Sequence, residues 1–563
     1  MKPPEYNLLD EPWIPVRLLD GTITEVGLLE LLQRSTDIAD LACELPTQNI
    51  AIQRLVLAVA YRVATPLDAE AWAAQWDHGA PTEEMAEYLE KWRDRFYLFG
   101  GQYPFMQVAD LRTAKDEKKA LDVIIASVPK EEKRLFSTRQ GAGLERIDAA
   151  DAARWLVHTQ AYDSSGIRSG AVGDREVKGG KGYPIGPAWC GQLGLVWLKG
   201  RDLDETLVLN LIPADTAELR GGDNSSQWGA CSWEMAEPET AERRDYSLLD
   251  KRGNPDPNGL SIPRLLTWHS RRVHLFGDAS GVTCALVCQG DRLSPQEMRL
   301  YEPQSLWRYS KPQSTRAKQD VYMSHKFEQG RSLWRDLPDA FLSVKMTEGA
   351  DKQQKREFLP SATLAFHEKF DQTYIKTEYL KYIQIQAVGV KYGTQETTFE
   401  DIYADELALS IAAIRTERKD LANVIEQQVS LTEQVAAELD FLAKNLTLAA
   451  GKKIERLDPK KDKERRERAK ERFFAIVDDP FRAWIAQVDG SCDVREIGQI
   501  WERQLYRYAI ELKQEMVASV SSSAIIGRRI GEHFMNVAIA ENIFNSRLRK
   551  ILSNSYDKQE GTK

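Results

Sequence analysis

The sequence predicts an α+β protein, with a large irregular mixed α/β body at the N-terminus and a four-helix bundle at the C-terminus. Three observations lead to this fold class. Short apolar runs alternate with glycines, prolines and polar loops between residues 104 and 320, helical spacing dominates after residue 404, and 42% of the 563 residues are hydrophobic. The length predicts more than one domain, and we divide the chain into residues 1–400 and 401–563.

The first hundred residues predict a hairpin followed by helices. Residues 7–32 indicate a strand, an Asp-Gly turn, a second strand and a helix. Apolar residues at three- and four-residue spacing predict an amphipathic helix in NIAIQRLVLAVAYRVA (residues 49–64), and a further helix is expected from Thr82 to Gly100.

The irregular body is expected to contain strands joined by long loops. The stretches GLVWLKGRDLDETLVLNLIP (residues 194–213) and RRVHLFGDASGVTCALVCQG (residues 271–290) indicate strands and hairpins. Long loops in a compact protein are often functional, so the loops of this body are where we expect the binding residues.

The C-terminal third predicts about four helices with short connections. The stretch from residue 421 to Gly451 has apolar residues near heptad spacing and ends in glycine and lysines, as a helix C-terminus prefers. Further helices are expected near residues 460–485, 494–520 and 528–554, which together indicate a four-helix bundle.

Composition excludes several classes of protein. A net charge of −9 excludes a globally basic nucleic-acid binder, but not a local basic patch. The six cysteines are scattered without metal-ligand spacing, which predicts reduced thiols, no metal and no disulfide framework. No secretory signal or membrane-length apolar run is visible, so we expect a cytoplasmic protein without membrane contact or cofactor.

Catalytic motifs are not found. The glycine-rich stretch from Gly179 to Pro187 lacks P-loop spacing, and His367 is followed by Glu368 without the second histidine of a zinc protease helix. We therefore expect that the protein is not an enzyme. Two alternatives stay open: an uncharacterised enzyme with a site in the body near His269 and His274, or a scaffold that docks other proteins through its bundle.

Two loops have the composition of nucleic-acid contacts. Residues 130–143 combine one phenylalanine with basic residues and glycines, which suits backbone contact and base stacking; the alternative is a surface loop whose phenylalanine packs in the core. Residues 161–182 contain six glycines, small hydroxyls and the basic residues Arg168, Arg175, Lys178 and Lys181. This pattern fits close backbone approach to a duplex or, alternatively, a flexible surface loop.

Two basic stretches are less specific. Arg271 and Arg272 are adjacent in a predicted strand and should face opposite sides, so that one of them could be structural. Residues 452–472 contain eleven Lys/Arg and six Asp/Glu, which fits a basic face along DNA or, more often, a solvated helix with internal ion pairs. Gln395, in the stretch GVKYGTQETTFED (residues 389–401), is by spacing alone an ordinary loop residue at the junction of body and bundle.

Six stretches in order resemble a known family, the large (CasA-like) subunit of the type I-E CRISPR Cascade surveillance complex. They are NLLDEPWIPV (7–16), GQYPFMQV (101–108), GRDLDETLVLNLIP (200–213), SWE (232–234), TWHSRRVHL (267–275) and VKYGTQET (390–397). The resemblance implies a non-catalytic subunit that recognises the protospacer-adjacent motif of double-stranded DNA from the minor groove. It further implies that this subunit promotes duplex opening and R-loop formation, and helps to recruit a helicase-nuclease in antiviral defence.

The resemblance also implies partners and roles for individual residues. The partners are the other Cascade subunits, the 5′ handle region of the guide CRISPR RNA, double-stranded target DNA and the helicase-nuclease. The candidate residues are Asp163, Ser164, Ser165 and Gly166 in the motif loop, Thr394 and Gln395 in the wedge, Arg299 in place of the family's minor-groove lysine, and Lys133, Arg134, Phe136 and Arg139 at the guide-RNA handle. Apart from the resemblance, the basic residues Arg168, Lys178, Lys181 and Lys391 are candidate phosphate contacts. Two departures from the family are that the motif loop, DSSG, is less glycine-rich than in some members and that no lysine occurs near Arg299.

Overall fold

The structure is a computed structural model that describes residues 3–128, 145–216, 229–244, 260–293, 298–338, 346–451 and 459–560. For residues 459–468 and 554–560, and for Thr416, only the backbone is described. The chain divides into two compact units. The first comprises Met1–Gln329 and Val344–Glu406, and the second comprises Gly330–Ser343 and Leu407–Lys563.

The α-helices of the first unit are short except for two that pass through its core. They are α1 (Leu28–Gln33), α2 (Pro46–Ala64), α3 (Ala69–His78), α4 (Thr82–Lys91), α5 (Ala149–Tyr162), α6 (Leu203–Asn210), α7 (Ile262–Leu266), α8 (Lys311–Ala317) and α9 (Ala362–Lys369).

The strands of the first unit form several small antiparallel sheets rather than one large one. They are β1 (Glu5–Asn7), β2 (Ile14–Leu18), β3 (Ile23–Val26), β4 (Ile38–Leu41), β5 (Tyr97–Phe99), β6 (Arg168–Ser169), β7 (Lys181–Gly182), β8 (Gly194–Lys199), β9 (Arg271–Asp278), β10 (Gly281–Gln289), β11 (Trp307–Tyr309), β12 (Tyr322–Ser324), β13 (Met346–Glu348), β14 (Gln354–Arg356), β15 (Phe358–Leu359), β16 (Tyr382–Tyr392) and β17 (Phe399–Ser410), the last of which continues into the second unit. The sheet orders are β1-β5, β3-β2-β4, β6-β7, β10-β9, β12-β11-β15, β13-β14 and β17-β16-β8.

The N-terminal hairpin and α2 form as the sequence predicts. β2 and β3 are joined through Gly21, whose φ of +88° suits the turn after Asp20. α2 is buried on nearly all sides rather than on one face, and it packs against α4, α5 and α7. Arg54, in the middle of α2, is fully buried and is paired with the Glu302 carboxylate at 2.8 Å, since a charge inside a core requires a partner.

Two element predictions for the first unit are wrong. The helix expected from Thr82 to Gly100 ends at Lys91, because residues 97–99 pair with β1 as strand β5. The stretch 203–210, expected as strand, is helix α6. The Asp202 side chain accepts a hydrogen bond from the Glu205 backbone N–H at 2.9 Å, and this N-cap starts a helix where the apolar run alone indicates a strand.

Three elements end close to one another and position the candidate site. Helix α5 leads directly into the motif loop, strand β10 ends at Gln289, and β16 ends at Tyr392. β16 pairs with the fully buried strand β8 from Gln384 opposite Lys199 to Gly389 opposite Gly194. The turn between β16 and β17 contains the predicted wedge.

The second unit contains the predicted four-helix bundle. Its α-helices are α10 (Ile411–Ile414), α11 (Lys419–Ala449), α12 (Pro459–Ile485), α13 (Val494–Ala518), α14 (Ser522–Ile526) and α15 (Val537–Glu560). The long helix α11 contacts α12, α13 and α15. The helix expected to begin near residue 528 begins instead at Val537, because the strands β18 (Arg528–Ile530) and β19 (His533–Met535) form a hairpin before it.

The six cysteines all lie in the described residues, and none of them forms a disulfide. Within the described residues, no single helix is long and apolar enough to cross a membrane. The bent pair α2 and α3 meets that criterion only jointly, by length and composition, and α2 is a core helix of the first unit.

Candidate nucleic-acid interface

The motif loop, residues 163–166, follows the last turn of α5. Asp163 accepts hydrogen bonds from Arg168 Nη2 at 2.7 Å to each carboxylate oxygen, and from Arg271 Nε at 2.5 Å. The carbonyl oxygen of Asp163 also accepts a bond from the Ala188 backbone N–H at 2.8 Å. The loop is therefore fixed to the protein body by both its side chain and its backbone.

Most of the motif loop is buried. Asp163, Ser164 and Ser165 are at most 7% exposed, so little of their side chains is accessible, and their assignment as DNA contacts stays a prediction. Gly166 is partly exposed, with φ of +145°, and a Cβ added there would meet nothing within 4 Å. The accessible part of the loop is thus the backbone of Gly166, and the next side chain, Ile167, is 57% exposed.

Arg271 anchors the loop, and sequence reasoning did not assign it to the site. Its guanidinium, 1% exposed, donates to Asp163 and, through Nη2, to the carbonyl oxygens of Ser164 at 3.0 Å and Gly186 at 2.8 Å. Arg272 is also buried, and it pairs with Asp291 at 2.7 Å on the other side of the strand. The two arginines do face opposite sides, but both are structural.

The wedge turn, residues 393–398, is an exposed tip at the end of the β16–β17 hairpin. Its base is closed by a hydrogen bond from the Gly393 N–H to the Thr398 carbonyl oxygen at 2.8 Å. Gln395 and Glu396 have left-handed backbone angles, with φ of 55° and 59°. Residues from Thr394 to Thr397 are exposed, and within the described chain the Gln395 amide has no hydrogen-bond partner.

The structure brings the motif loop and the wedge turn together. The Ser165 backbone N–H donates to the Glu396 carbonyl oxygen at 2.8 Å. The Tyr392 hydroxyl, at the end of β16, donates to the Tyr162 carbonyl oxygen at 2.6 Å. Two segments about 230 residues apart in sequence therefore form one surface element.

The predicted phosphate contacts divide into accessible and internal residues. Lys178 and Lys181 are exposed and flank a tight turn in which Gly179 and Gly180 have φ of +60° and +72°, as a type I′ turn requires. Lys391 is 55% exposed, and its ammonium lies 3.3 Å from Glu400 Oε2. Arg168 is 11% exposed and bound to Asp163, so little of its side chain is accessible, and its assignment as a phosphate contact stays a prediction.

Gln289, at the end of β10, connects this lysine turn to the motif loop. Its side-chain Nε2 donates to the carbonyl oxygen of Gly166 at 2.8 Å and to that of Gly182 at 3.3 Å. The residue is 2% exposed. Like Arg271, it positions the loop without facing the surface, and no sequence motif marks it.

The remaining candidates are Arg299 and the residues expected at the guide-RNA handle. Arg299 is partly buried, its guanidinium carbon lies 5.5 Å from the centre of the Tyr322 ring, and its Nε is a buried atom without a partner among the described residues. The guide-RNA candidates Lys133, Arg134, Phe136 and Arg139 lie outside the described residues, as do residues 452–458 of the basic C-terminal stretch.

The histidines of the enzyme alternative have structural partners. His269 Nδ1 lies 3.2 Å from Glu239 Oε2, and His274 Nδ1 lies 3.1 Å from the Val108 carbonyl oxygen. Burial lowers the pKa of His274. Within the described residues, no group of three or more His, Cys, Asp or Glu side chains could hold a metal ion.

His158, in α5 below the motif loop, makes the stability of the first unit dependent on pH. Burial lowers its pKa from 6.5 to about 3, and its Nε2 lies 3.0 Å from Thr47 Oγ1. The unfolded chain therefore binds a proton between about pH 6.5 and pH 3 that the folded chain excludes, and stability falls as pH falls through this window.

We expect His158→Gln to reduce this loss of stability, because glutamine does not titrate. Below about pH 6, the wild type should lose about 1.4 kcal/mol more of its free energy of unfolding for each pH unit of acidification than the variant does. Urea unfolding followed by tryptophan fluorescence at about pH 7 and about pH 5 measures the difference. Equal pH dependence in the two proteins would contradict the assignment of a neutral buried His158.

The family follows from comparison with known proteins. The model of the family described as CRISPR-associated protein Cse1 matches residues 7–512, which include most of both units. The chain belongs to the CRISPR-associated protein Cse1 family. The resemblance to the large subunit of type I-E Cascade, drawn from the sequence, is thereby confirmed.

The share of this chain that can be aligned differs from one Cse1 relative to the next. The CRISPR-associated protein CasA/Cse1 of Thermus thermophilus is 31% identical over 343 residues, and the match spans 59% of this chain and only 59% of that protein. The crystal structure of Thermobifida fusca Cse1 is 33% identical, covers 98% of both chains and has a TM-score of 0.85. Cse1 from Acidimicrobium ferrooxidans is 26% identical, covers 99% of both chains and has a TM-score of 0.79.

Proposed function

We propose that this Cse1 family member is a non-catalytic subunit that reads a short motif in double-stranded DNA and starts the opening of the duplex. One observation carries the proposal: the hydrogen bond from Ser165 N–H to the Glu396 carbonyl oxygen places the motif loop directly beside the wedge turn. A protein that reads base pairs and separates the next pair needs these two parts in contact, since the two events take place on adjacent base pairs.

The chemistry of the two parts fits minor-groove recognition. Gly166 offers backbone without a side chain, and with φ of +145° it adopts a conformation that favours glycine. A bare backbone can approach the floor of a narrow groove, where the hydrogen-bond pattern is degenerate and several motifs are tolerated. The exposed Gln395 amide has both a donor and an acceptor for the edges of a base pair as it separates.

Three accessible lysines support phosphate contacts around this element. Lys178 and Lys181 flank the turn that Gln289 ties to the motif loop, and Lys391 precedes the wedge turn. With a net charge of −9, the protein needs such a local cluster to bind a polyanion. The role of Arg299 at the minor groove is part of the same proposal.

The partners follow from the proposed role. The subunit would act in the cytoplasm with the other Cascade subunits and a guide CRISPR RNA, whose 5′ handle region would contact Lys133, Arg134, Phe136 and Arg139. After guide pairing it would help to recruit the helicase-nuclease. Membership of the Cse1 family supports this assembly, and the bundle of the second unit supplies further surface for it.

We expect Lys178→Ala and Lys181→Ala to weaken DNA binding in a salt-dependent way. Each phosphate contact that is lost should reduce the slope of log affinity against log salt concentration by about 1, because one fewer counterion is released. Gel-shift titrations of the reconstituted complex across salt concentrations measure the slope. Lys91→Ala, an exposed lysine at the end of α4, is the control and should leave the slope unchanged. An unchanged slope in both test variants would remove these lysines from the interface.

A further inference from the structure

The base of the wedge turn has a second connection to the motif loop, and it is made by a side chain. Tyr392, the last residue of β16, places its hydroxyl 2.6 Å from the Tyr162 carbonyl oxygen, at the end of α5. Burial raises the pKa of Tyr392 well above its ordinary value, so the phenol keeps its proton and remains a donor.

The space around the Tyr392 hydroxyl admits no larger neighbour. A Cβ added to Gly191 would lie 2.1 Å from the hydroxyl oxygen and 2.9 Å from ring atom Cζ. Gly191 belongs to the short turn that begins at Ala188, whose N–H donates to the Asp163 carbonyl oxygen. The phenol is therefore enclosed between two segments that are both attached to the motif loop.

The Tyr392 ring also joins the two strands of the wedge hairpin. Its centroid lies 5.1 Å from that of Phe399, the first residue of β17, and the Phe399 ring lies 6.0 Å from His158 of α5. His158 stacks on Tyr162 at 5.3 Å. Both strands that flank the wedge turn are thus packed against the helix that leads into the motif loop.

We propose that Tyr392 is the positioning residue that ties motif reading to duplex opening. Two bonds connect the two elements: the phenol fixes the base of the wedge to Tyr162, and the Ser165–Glu396 backbone bond fixes its tip. Two attachment points set the direction of Gln395 as well as its location, so the amide meets the base pair next to the motif and no other. This inference rests on the proposed function and adds the residue that aligns its two steps.

The test separates binding from opening in the reconstituted complex with its guide RNA. The wild-type complex first selects its preferred motif from a library of duplexes with randomised motif positions. A duplex with that motif then carries the fluorescent base 2-aminopurine at the base pair next to the motif, so that opening raises the fluorescence. Tyr392→Phe should slow the fluorescence rise by about three- to tenfold, the effect of one lost hydrogen bond on alignment, while motif-dependent affinity stays within about twofold. Gly191→Ala displaces the same phenol from the other side. It should likewise slow opening and leave motif-dependent affinity nearly unchanged.

Tyr61→Phe is the matched control. It removes a buried phenol that donates to the Asn210 carbonyl oxygen at 3.0 Å, in a part of the unit without any proposed DNA contact, and it should lower the melting temperature without slowing opening. Normal opening by Tyr392→Phe would overturn the inference. The inference would also be overturned if Tyr392→Phe reduced binding and opening equally, or if this variant did not fold. Either result would mean that Tyr392 only supports the structure. If Gln395→Ala also opened DNA normally, the proposed function itself would fail; if only Tyr392→Phe did, the inference alone would fail.

Discussion

Replacing Gln395 with alanine is expected to slow R-loop formation by about 10- to 100-fold while motif-dependent DNA binding stays within about twofold of wild type. This range corresponds to about 1.4–2.7 kcal/mol, comparable to the cost of unstacking one base step that an inserted side chain offsets. The side chain is exposed and has no partner in the described chain, so its removal should not unfold the hairpin. R-loop formation on negatively supercoiled plasmid, followed by permanganate reactivity of unpaired thymines, measures the rate.

Two further variants at this position separate the amide from the backbone. Gln395 has φ of 55°, a conformation that strains alanine but not glycine or asparagine. Gln395→Gly should be as defective as Gln395→Ala, because both lack the amide. Gln395→Asn, which keeps a shorter amide, should be intermediate. An active Gln395→Gly variant would show that the amide is dispensable, and would contradict the wedge assignment.

Replacing Arg271 with methionine is expected to destabilise the first unit by about 3–5 kcal/mol, because Asp163 would lose one of the two guanidinium groups bound to its buried carboxylate. The carbonyl oxygens of Ser164 and Gly186 would also lose a donor. Since these groups fix the motif loop, the variant should lose motif-dependent binding as well as stability. Urea unfolding followed by tryptophan fluorescence, together with gel shifts of the folded fraction, measures both effects.

The control for this variant is Arg175→Met. Arg175 lies close to the same loop in sequence and pairs with Glu242 at 2.9 Å, but its side chain is 84% exposed. An exposed ion pair contributes less than about 1 kcal/mol, so this variant should unfold almost as the wild type does. If Arg271→Met were equally mild, Asp163 and Arg271 could not be the anchor of the motif loop.

The parts of the fold that local patterns determine could be predicted from the sequence. The β9–β10 hairpin and helix α11 follow from apolar periodicity and from glycine positions. Helix α6 could not be predicted in this way, because its buried sequence TLVLN has no polar face, and one capping carboxylate, Asp202, decides between helix and strand. Strand β5 was missed because its pairing partner, β1, lies about ninety residues away.

In the candidate site, too, local features could be predicted from the sequence, and long-range contacts could not. The glycines and the glutamine of the wedge turn are visible in the sequence, and the family resemblance directs attention to Gln395. The residues that position the site are the buried Arg271 and Gln289 and the partly buried Tyr392, and they act through hydrogen bonds to backbone atoms of distant segments. No spacing rule relates such residues to their acceptors, and the burial of Asp163 to Ser165 follows from the same long-range packing.

Photocrosslinking from the wedge turn to DNA tests most directly whether the motif loop and the wedge turn open DNA together. A photoreactive group introduced at Thr394, which is exposed beside Gln395, leaves the Gln395 amide intact. In the reconstituted complex with guide RNA and a motif-containing duplex, we expect a crosslink at the base pair next to the motif. The same group at Leu19, 59% exposed beside the N-terminal hairpin turn, should give none. Crosslinks from Thr394 that are spread evenly along the duplex, or that do not depend on the motif, would contradict the claim that loop and wedge act as one DNA-opening element.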